Sequence, residues 1–289
     1  MLEIKPIFHA LCRSKVGAIL LLIQIAITTA IVSNAAFIIQ DRISYLSQET
    51  GYPEQDIFVF NVMMFGKDVS PSQQYELDEA MLRQIPGVVD AAYSSNTPLS
   101  GSGSSSDFSL KPAPEESKSA RSSYMFIDEH GINTYGVKLI AGRNYTEDEV
   151  IVTDNYDELS KVTVVTKTLL DELFPDGNGL GQTVYFGDIP MKVIGVVELM
   201  KGPWLKDSRP DNVALLPFIK PGTNARFVVR TEPGQRQSVM NRVEEAMLKN
   251  YNKRVISRIR GLDDDKESYM AEDTLMMRML IVLITILVL

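Results

Sequence analysis

Cysteine is nearly absent from this chain: Cys12 is the only one in 289 residues, and it precedes the first apolar run, so the sequence after that run can form no disulfide. A domain placed in an oxidising compartment without cross-links must be held by its core, and a chain of this length can bury one. The position of Cys12 ahead of the run excludes a lipoprotein anchor and leaves an inert thiol, with acylation as the alternative. Histidine is almost as scarce, with His9 and His130 alone. A metal centre or a His-based relay needs several convergent partners, so Asp128-Glu129-His130 reads as the start of a solvated helix rather than a ligand set. Basic charge is in deficit: residues 41–275 hold 25 Lys and Arg against 36 Asp and Glu. Phosphate backbones need clustered basic side chains, and an acidic domain therefore argues against nucleic acid as a partner.

Other absences narrow the chemistry further. The stretch Gly177-Asn178-Gly179-Leu180-Gly181-Gln182-Thr183 carries Gln182 where a phosphate loop requires lysine, so it reads as a turn and not a nucleotide site. The run Asp263-Asp264-Asp265 with Glu267 lacks the glycine and alternate spacing of a calcium loop, which makes it a charged surface. The sequon Asn144-Tyr145-Thr146 matters only in a eukaryotic secretory route. No catalytic constellation, cofactor site or metal site emerges, and the chain is expected to be no enzyme.

What the sequence does have is apolar length at its two ends. From Val16 to Gln40 there are 25 consecutive uncharged residues, bounded by Lys15 and Asp41, whereas a bilayer core needs about 20. Thr28, Thr29 and Ser33 within it are tolerated in spanning helices and suit a face packed on another helix. The alternative is a cleaved signal peptide with Ser33-Asn34-Ala35 as its cleavage site, although the run is longer than a signal core of about 7 to 15 residues. Lys5, Arg13 and Lys15 precede the run, and the positive-inside rule puts that side in the cytoplasm and residues 41–275 outside. Met279 to Leu289 is apolar without interruption but only half a crossing long, so the sequence is expected to be a piece of a longer protein.

Between these runs the pattern is mixed. Ile57 to Met63 is rich in β-formers; Ser70 and Pro71 then open a helix with Tyr75, Leu77, Met81, Leu82 and Ile85 at helical spacing, and Val88 to Tyr93 makes a second strand. Residues 96–123 read as loop, with a short strand near Phe108 to Leu110. Strands follow at Tyr124 to Ile127, Val162 to Val165, Thr183 to Phe186, Met191 to Val197 and Val213 to Leu216, with short helices after Glu129 and around Leu169 to Phe174. The last third gives a strand at Arg226 to Arg230, a helix from Gly234 to Asn250 striped by Val239, Val243, Ala246 and Met247, and a strand at Val255 to Ile259. The first and last strand–helix–strand segments are expected to share one sheet, with the middle inserted between them. A single long helix is expected from Asp263 to Met277, running into the second apolar stretch.

Several stretches, in this order, resemble the MacB-type (MacB/FtsX-like) family of ABC transporter permeases, covering the first transmembrane helix and the periplasmic core domain. They are Gln84-Ile85-Pro86-Gly87-Val88, Gly136 to Tyr145 with Gly142-Arg143, Leu173-Phe174-Pro175-Asp176-Gly177-Asn178 leading to Leu180-Gly181-Gln182-Thr183-Val184, and Val193-Ile194-Gly195-Val196-Val197. The signature residues Pro86, Gly87, Gly142, Arg143, Phe174, Pro175, Gly181, Gly195, Val196 and Val197 are structural in this reading. The resemblance implies an α+β fold: an extracytoplasmic porter-like βαβ domain with an inserted, mostly β subdomain, flanked by transmembrane helices. The corresponding boundaries are 1–15 for the cytoplasmic N-terminus, 16–40 for the first membrane helix, and 41–98 and 211–262 for the porter-like parts. The inserted subdomain takes 99–210, and 263–289 is the connecting helix and start of a second membrane helix.

It further implies a permease subunit in the bacterial inner membrane that transmits ATPase-driven movement to its periplasmic domain, for export of a substrate such as an antimicrobial peptide, a macrolide or a lipoprotein. Implied partners are a separate cytoplasmic ABC ATPase holding ATP and magnesium, a second permease copy in a homo- or heterodimer, and membrane lipid; a periplasmic adaptor stays open. A helix, an outer domain and a second helix is also the layout of a bacterial sensor, which is the alternative.

Overall fold

Phe58, Phe60, Val62 and Met64 alternate along one strand, and this period of two puts four large apolar side chains on one face. That strand, β1 (Ile57–Met64), is the second in a four-stranded sheet of order β12-β1-β11-β2, with β2 at Val88–Tyr93, β11 at Asn224–Thr231 and β12 at Arg254–Gly261. All three pairings are antiparallel. β1 reaches β2 through a helix at Pro71–Arg83, and β11 reaches β12 through a helix at Arg236–Asn250. This is the split βαβ arrangement, in which each helix crosses over a strand contributed by the other half. Both helices cover the same face, where Tyr75, Leu82, Val239, Val243 and Met247 join Phe58, Phe60 and Phe227 in the core. Phe60 and Phe227 stack at 5.5 Å between centroids; each buried aromatic contributes roughly 1.5–3 kcal/mol.

These coordinates are a computed structural model, which describes residues 15–66, 68–112 and 117–288. The cytoplasmic N-terminal segment assigned from Lys5 and Arg13, with His9 and Cys12, lies outside the described residues, as does most of the Ala113-Pro114 stretch. Helices are numbered α1 (Lys15–Leu46), α2 (Pro71–Arg83), α3 (Gly131–Thr134), α4 (Lys167–Leu173), α5 (Arg236–Asn250), α6 (Leu262–Tyr269) and α7 (Ala271–Val288).

The chain between β2 and β11 builds a second sheet from β3 (Ser104–Ser109), β4 (Ser119–Ile127), β7 (Val162–Thr166), β8 (Thr183–Phe186), β9 (Ile189–Val197) and β10 (Val213–Ile219). Their order is β4-β3-β8-β9-β7-β10, and β10 pairs in parallel with β4 as well, so the six strands close on themselves as a barrel. Short strands β5 (Leu139–Gly142) and β6 (Ile151–Val152) hang on β9 and β10. Phe108, Phe126, Val165, Val193, Leu216 and Phe218 point inward, and Phe126 and Phe218 meet at 4.7 Å. Leu169 and Leu173 of α4 join the same apolar cluster.

Three expectations change. The boundary drawn at residue 210 falls too early, because Val213–Ile219 is a buried barrel strand held between β4 and β7 and not part of the split βαβ sheet. The serine run at 104–106 is strand rather than loop, its backbone paired with β4 while its short side chains stay at the surface. The long helix expected from Asp263 to Met277 is two helices, α6 and α7, interrupted at Met270.

The chain divides into two units, Glu49–Tyr269, which contains both sheets, and Met1–Gln48 with Met270–Leu289. In the second of these, α1 and α7 pack together, and Arg42 pairs with Asp273 at 3.0 Å. Among the described residues, the helix spanning Lys15–Ser44 is the one long and apolar enough to cross a membrane by length and composition.

Candidate functional site

The helices take one face of the split βαβ sheet, and the opposite face carries a polar cavity of about 730 Å³. Its floor is Val59 and Asn61 of β1, Arg226 of β11, and Arg258 and Arg260 of β12; its walls are the 95–103 loop and the last turn of α6. Arg226 is held in place, donating from Nε to Asn61 Oδ1 at 3.1 Å and from Nη1 to the Ser95 carbonyl at 2.9 Å. Arg260 pairs with Asp265 at 3.6 Å. Half-burial pushes the Asp265 carboxyl above its ordinary range, against the pull of Arg260 and Arg226.

Arg258 sits differently. Val59 faces Arg260 and Asn61 faces Ser257, so Arg258 and Ile259 together stand opposite Phe60, and the extra residue is a β-bulge. Arg258 has φ +55°, the left-handed region that costs an L-residue roughly 1–2 kcal/mol. Its side chain is exposed, and among the described residues its guanidinium has no carboxylate or hydrogen-bond partner. A second cavity of about 330 Å³ shares Asn61, Ser95 and Arg226 and continues along the same face toward Met63.

The signature residues lie elsewhere, in turns and close backbone contacts. Gly87 (φ +93°) turns the chain from α2 into β2, its carbonyl accepting from Glu232 N at 2.9 Å, while Pro86 O accepts from Arg242 at 2.8 Å. Gly142 (φ +73°) lies where a Cβ would come within 2.1 Å of the Ile194 carbonyl, and Gly195 leaves the same room for Arg143 O. Arg143 makes a two-point contact with Glu149 at 2.7 and 2.6 Å, which holds the Glu149 carboxyl down at about 2. Phe174 ends α4, Pro175 starts the following turn, Gly181 (φ +82°) donates to Val193 O, and Val196 and Val197 are buried in β9.

The acidic run does not converge on a point. Asp263 pairs with Arg236 at 2.6 Å, Asp264 accepts from Gly261 N at 3.0 Å, and Asp265 turns to Arg260. Asp128, expected in solvent, is buried and accepts from Tyr93 N at 3.1 Å and His130 N at 2.9 Å. Burial raises it to about 6, and burial beside Asp128 raises Glu79 well above the usual carboxylate range. His130 is raised in turn by its contact with Asp90, 3.1 Å away.

Sequence reasoning passed over the arginines of the cavity. The visible signal was the basic spacing in Lys253-Arg254-Val255-Ile256-Ser257-Arg258-Ile259-Arg260, where four arginines and lysines fall in eight residues of a strand inside an acidic domain.

The described residues thus form an α+β domain, a split βαβ sheet with a closed barrel inserted in it, that follows an apolar helix long enough to span a membrane. The profile of the MacB-like periplasmic core domain matches residues 18–246, and the chain belongs to that family, the periplasmic domain type of MacB-like ABC transporter permeases. A 70-residue stretch is 29% identical to the uncharacterized ABC transporter permease YvrN of Bacillus subtilis (strain 168), covering 24% of this chain and 16% of that one. A 71-residue stretch is 38% identical to the macrolide export ATP-binding/permease protein MacB of Aggregatibacter actinomycetemcomitans, covering 25% and 10%. This chain therefore matches a small fraction of the length of either relative. Among solved structures, the periplasmic region of MacB from Actinobacillus actinomycetemcomitans aligns with a TM-score of 0.43 and 17% identity over 78% of this chain and 97% of that one. The extracellular domain of the noncanonic ABC-type transporter YknZ from Gram-positive bacteria aligns with a TM-score of 0.43 and 16% identity over 69% and 100%.

Proposed function

We propose that this chain belongs to the permease subunit of an ABC transporter of MacB type, in which the extracytoplasmic domain changes shape as a separate cytoplasmic ATPase binds and hydrolyses ATP. The family match over residues 18–246 carries the reading. The way the chain enters and leaves the domain supports it. Just after α1, Thr50 Oγ1 donates to Glu54; just before α7, Lys266 Nζ donates to the same Glu54 carboxylate at 2.9 and 3.0 Å. α6 is further tied down by Arg236–Asp263 and Arg260–Asp265. A clamped α6 is the element through which a displacement of the chain at Met270 reaches the split βαβ sheet.

In this reading the substrate is extruded from the outer side of the membrane, the N-terminus is cytoplasmic, and the permease works as a pair of copies with the ATPase beneath. Macrolides, antimicrobial peptides and lipoproteins are the substrate classes to screen. The test uses the full-length protein co-expressed with its ATPase. Two glycines inserted at Met270 are expected to abolish export while the complex still assembles and hydrolyses ATP. Export unchanged by the insertion, or the absence of any co-purifying ATPase, counts against the proposal.

A further inference from the structure

The polar cavity over β1, β11 and β12 is walled on one side by α6, and three of its properties point the same way. Residues 41–275 carry 36 acidic against 25 basic side chains, yet Arg226, Arg258 and Arg260 meet at one cavity with Asp265 as its single acid. Guanidinium groups are the donors best matched to the two-point geometry of phosphate and carboxylate. The remaining lining is rich in hydroxyl donors such as Ser95, Ser100 and Ser268, so the cavity suits a polar group rather than an apolar one. Finally, Arg258 is the one cavity arginine without a partner among the described residues, and it is presented by a bulge whose left-handed backbone is unfavourable for any residue but glycine or asparagine. Strain of this sort persists where the surrounding structure enforces it, and it gathers at ligand sites.

We propose that this cavity is an anion-binding site for a headgroup-sized molecule bearing a phosphate, with Arg258 and Arg260 as its charged donors and Arg226 as the fixed floor. About 730 Å³ is within the usual range for small-molecule sites and far more than a bare ion fills, so the anion is one part of a larger polar ligand. Two sources supply this chemistry, a soluble phosphorylated molecule and the headgroup of an anionic phospholipid. The site does not depend on the transporter reading, because its elements all belong to the domain of residues 49–269.

The full chain in a neutral maltoside detergent is titrated with sn-glycerol 1-phosphate, with the short-chain lipid dihexanoylphosphatidylglycerol below its micellar concentration, and with glycerol as the uncharged control. Binding is read by calorimetry and by the emission of Trp204, whose indole NH donates to the Gly101 carbonyl in the wall loop at 2.9 Å. Saturable binding of the phosphate probes and none of glycerol is expected; the tighter of the two probes identifies the source, and either order supports the site.

Arg258→Gly separates binding from folding, since glycine suits φ +55° and lacks the guanidinium. The melting temperature is expected to hold or rise while affinity falls by roughly tenfold or more, and Arg260→Gln is expected to weaken binding as well. Arg209→Ala, which removes an arginine paired with Glu172 away from the cavity, is expected to bind as the parent does. The proposal is overturned by absence of saturable binding to either phosphate probe, or by equal weakening in Arg209→Ala. It is equally overturned if Arg258→Gly keeps full affinity and merely self-associates, which makes the bulge a guard on an outer strand and not a ligand site.

Discussion

Replacing Asp78 with alanine tests the energetic reading of the split βαβ half most directly. Asp78 on α2 and Arg254 at the start of β12 form an ion pair whose side chains are both 0% exposed. The Asp78 carboxylate accepts from both terminal nitrogens of Arg254, from Gln74 Nε2 at 3.0 Å and from Asn250 Nδ2 at 2.8 Å. Asp78→Ala leaves a buried guanidinium with the Tyr251 carbonyl on Nε as its remaining hydrogen-bond partner, and strands the buried Gln74 amide donor as well. Removing one member of such a pair costs about 3–5 kcal/mol. For a domain of 150–250 residues each kcal/mol moves the melting temperature by about 2–4 °C, so a drop on the order of 6–20 °C is expected. The assay is thermal and urea unfolding of the full chain in neutral detergent, followed by near-ultraviolet circular dichroism.

A companion variant, Asp78→Leu with Arg254→Met, removes both charges and keeps the volume. It is expected to recover most of the loss, because apolar replacements of a buried pair are commonly neutral. A single Asp78→Ala that melts within about 2 °C of the parent refutes the argument and means that water reaches Arg254.

Stability is also expected to fall as pH rises from about 4 to above 6. Asp128, with a folded value of about 6 against 3.8, and Glu79, raised by its burial, bind protons more tightly in the folded state; their contribution is complete below the unfolded values and lost as pH climbs through the folded ones. His130, raised above 6.5, adds to the same slope, whereas Asp90 is lowered and acts only below about pH 4. Urea midpoints at pH 5 and 8 should show the difference, and Glu79→Gln should flatten it. Gly142→Ala meets the Ile194 carbonyl at 2.1 Å on a positive φ and is expected to cost more than about 2 kcal/mol, whereas Gly177→Ala, equally positive in φ but in open space, should cost about 1. Equal losses in calorimetric melts would remove the close approach as the cause. Glu54→Ala releases Thr50 and Lys266 together; in the assembled transporter export should fall while the isolated domain loses less than about 1 kcal/mol.

Most elements were legible from period and punctuation. Ser70-Pro71 opens α2, Pro86-Gly87 closes its turn, and Thr183–Phe186 is a strand with the bounds read from the residues. The face of α2 was misjudged, because hydrophobicity pointed to Leu77 while the structure exposes Leu77 and buries Gln74, Asp78 and Glu79. Asp78 and Glu79 are buried because partners distant in sequence, Arg254 and Asp128, meet them there, and Gln74 is held by Asp78 one turn on; no local pattern carries the two distant pairings. The barrel stayed hidden for a similar reason: β10 joins β4 and β7 across long separations, and Ser104–Ser109 has the composition of a linker. The candidate cavity depends on the same long-range topology, since β12 is laid beside β1 only when the chain has returned from the barrel.

The closure of β10 onto β4 leaves the six-stranded sheet without a free flank. Open strand edges are templates on which other chains add strands, the usual route to aggregation. Secreted domains commonly suppress partial opening with cross-links, but after Cys12 this chain has no cysteine to use. Here the ring itself takes that part: its strands pair all the way round, and the β10–β4 ladder from Val213 to Pro217 closes it. The barrel is thereby shielded from strand addition by topology rather than by thiol chemistry, which leaves β12 and β2 as the free flanks of the other sheet.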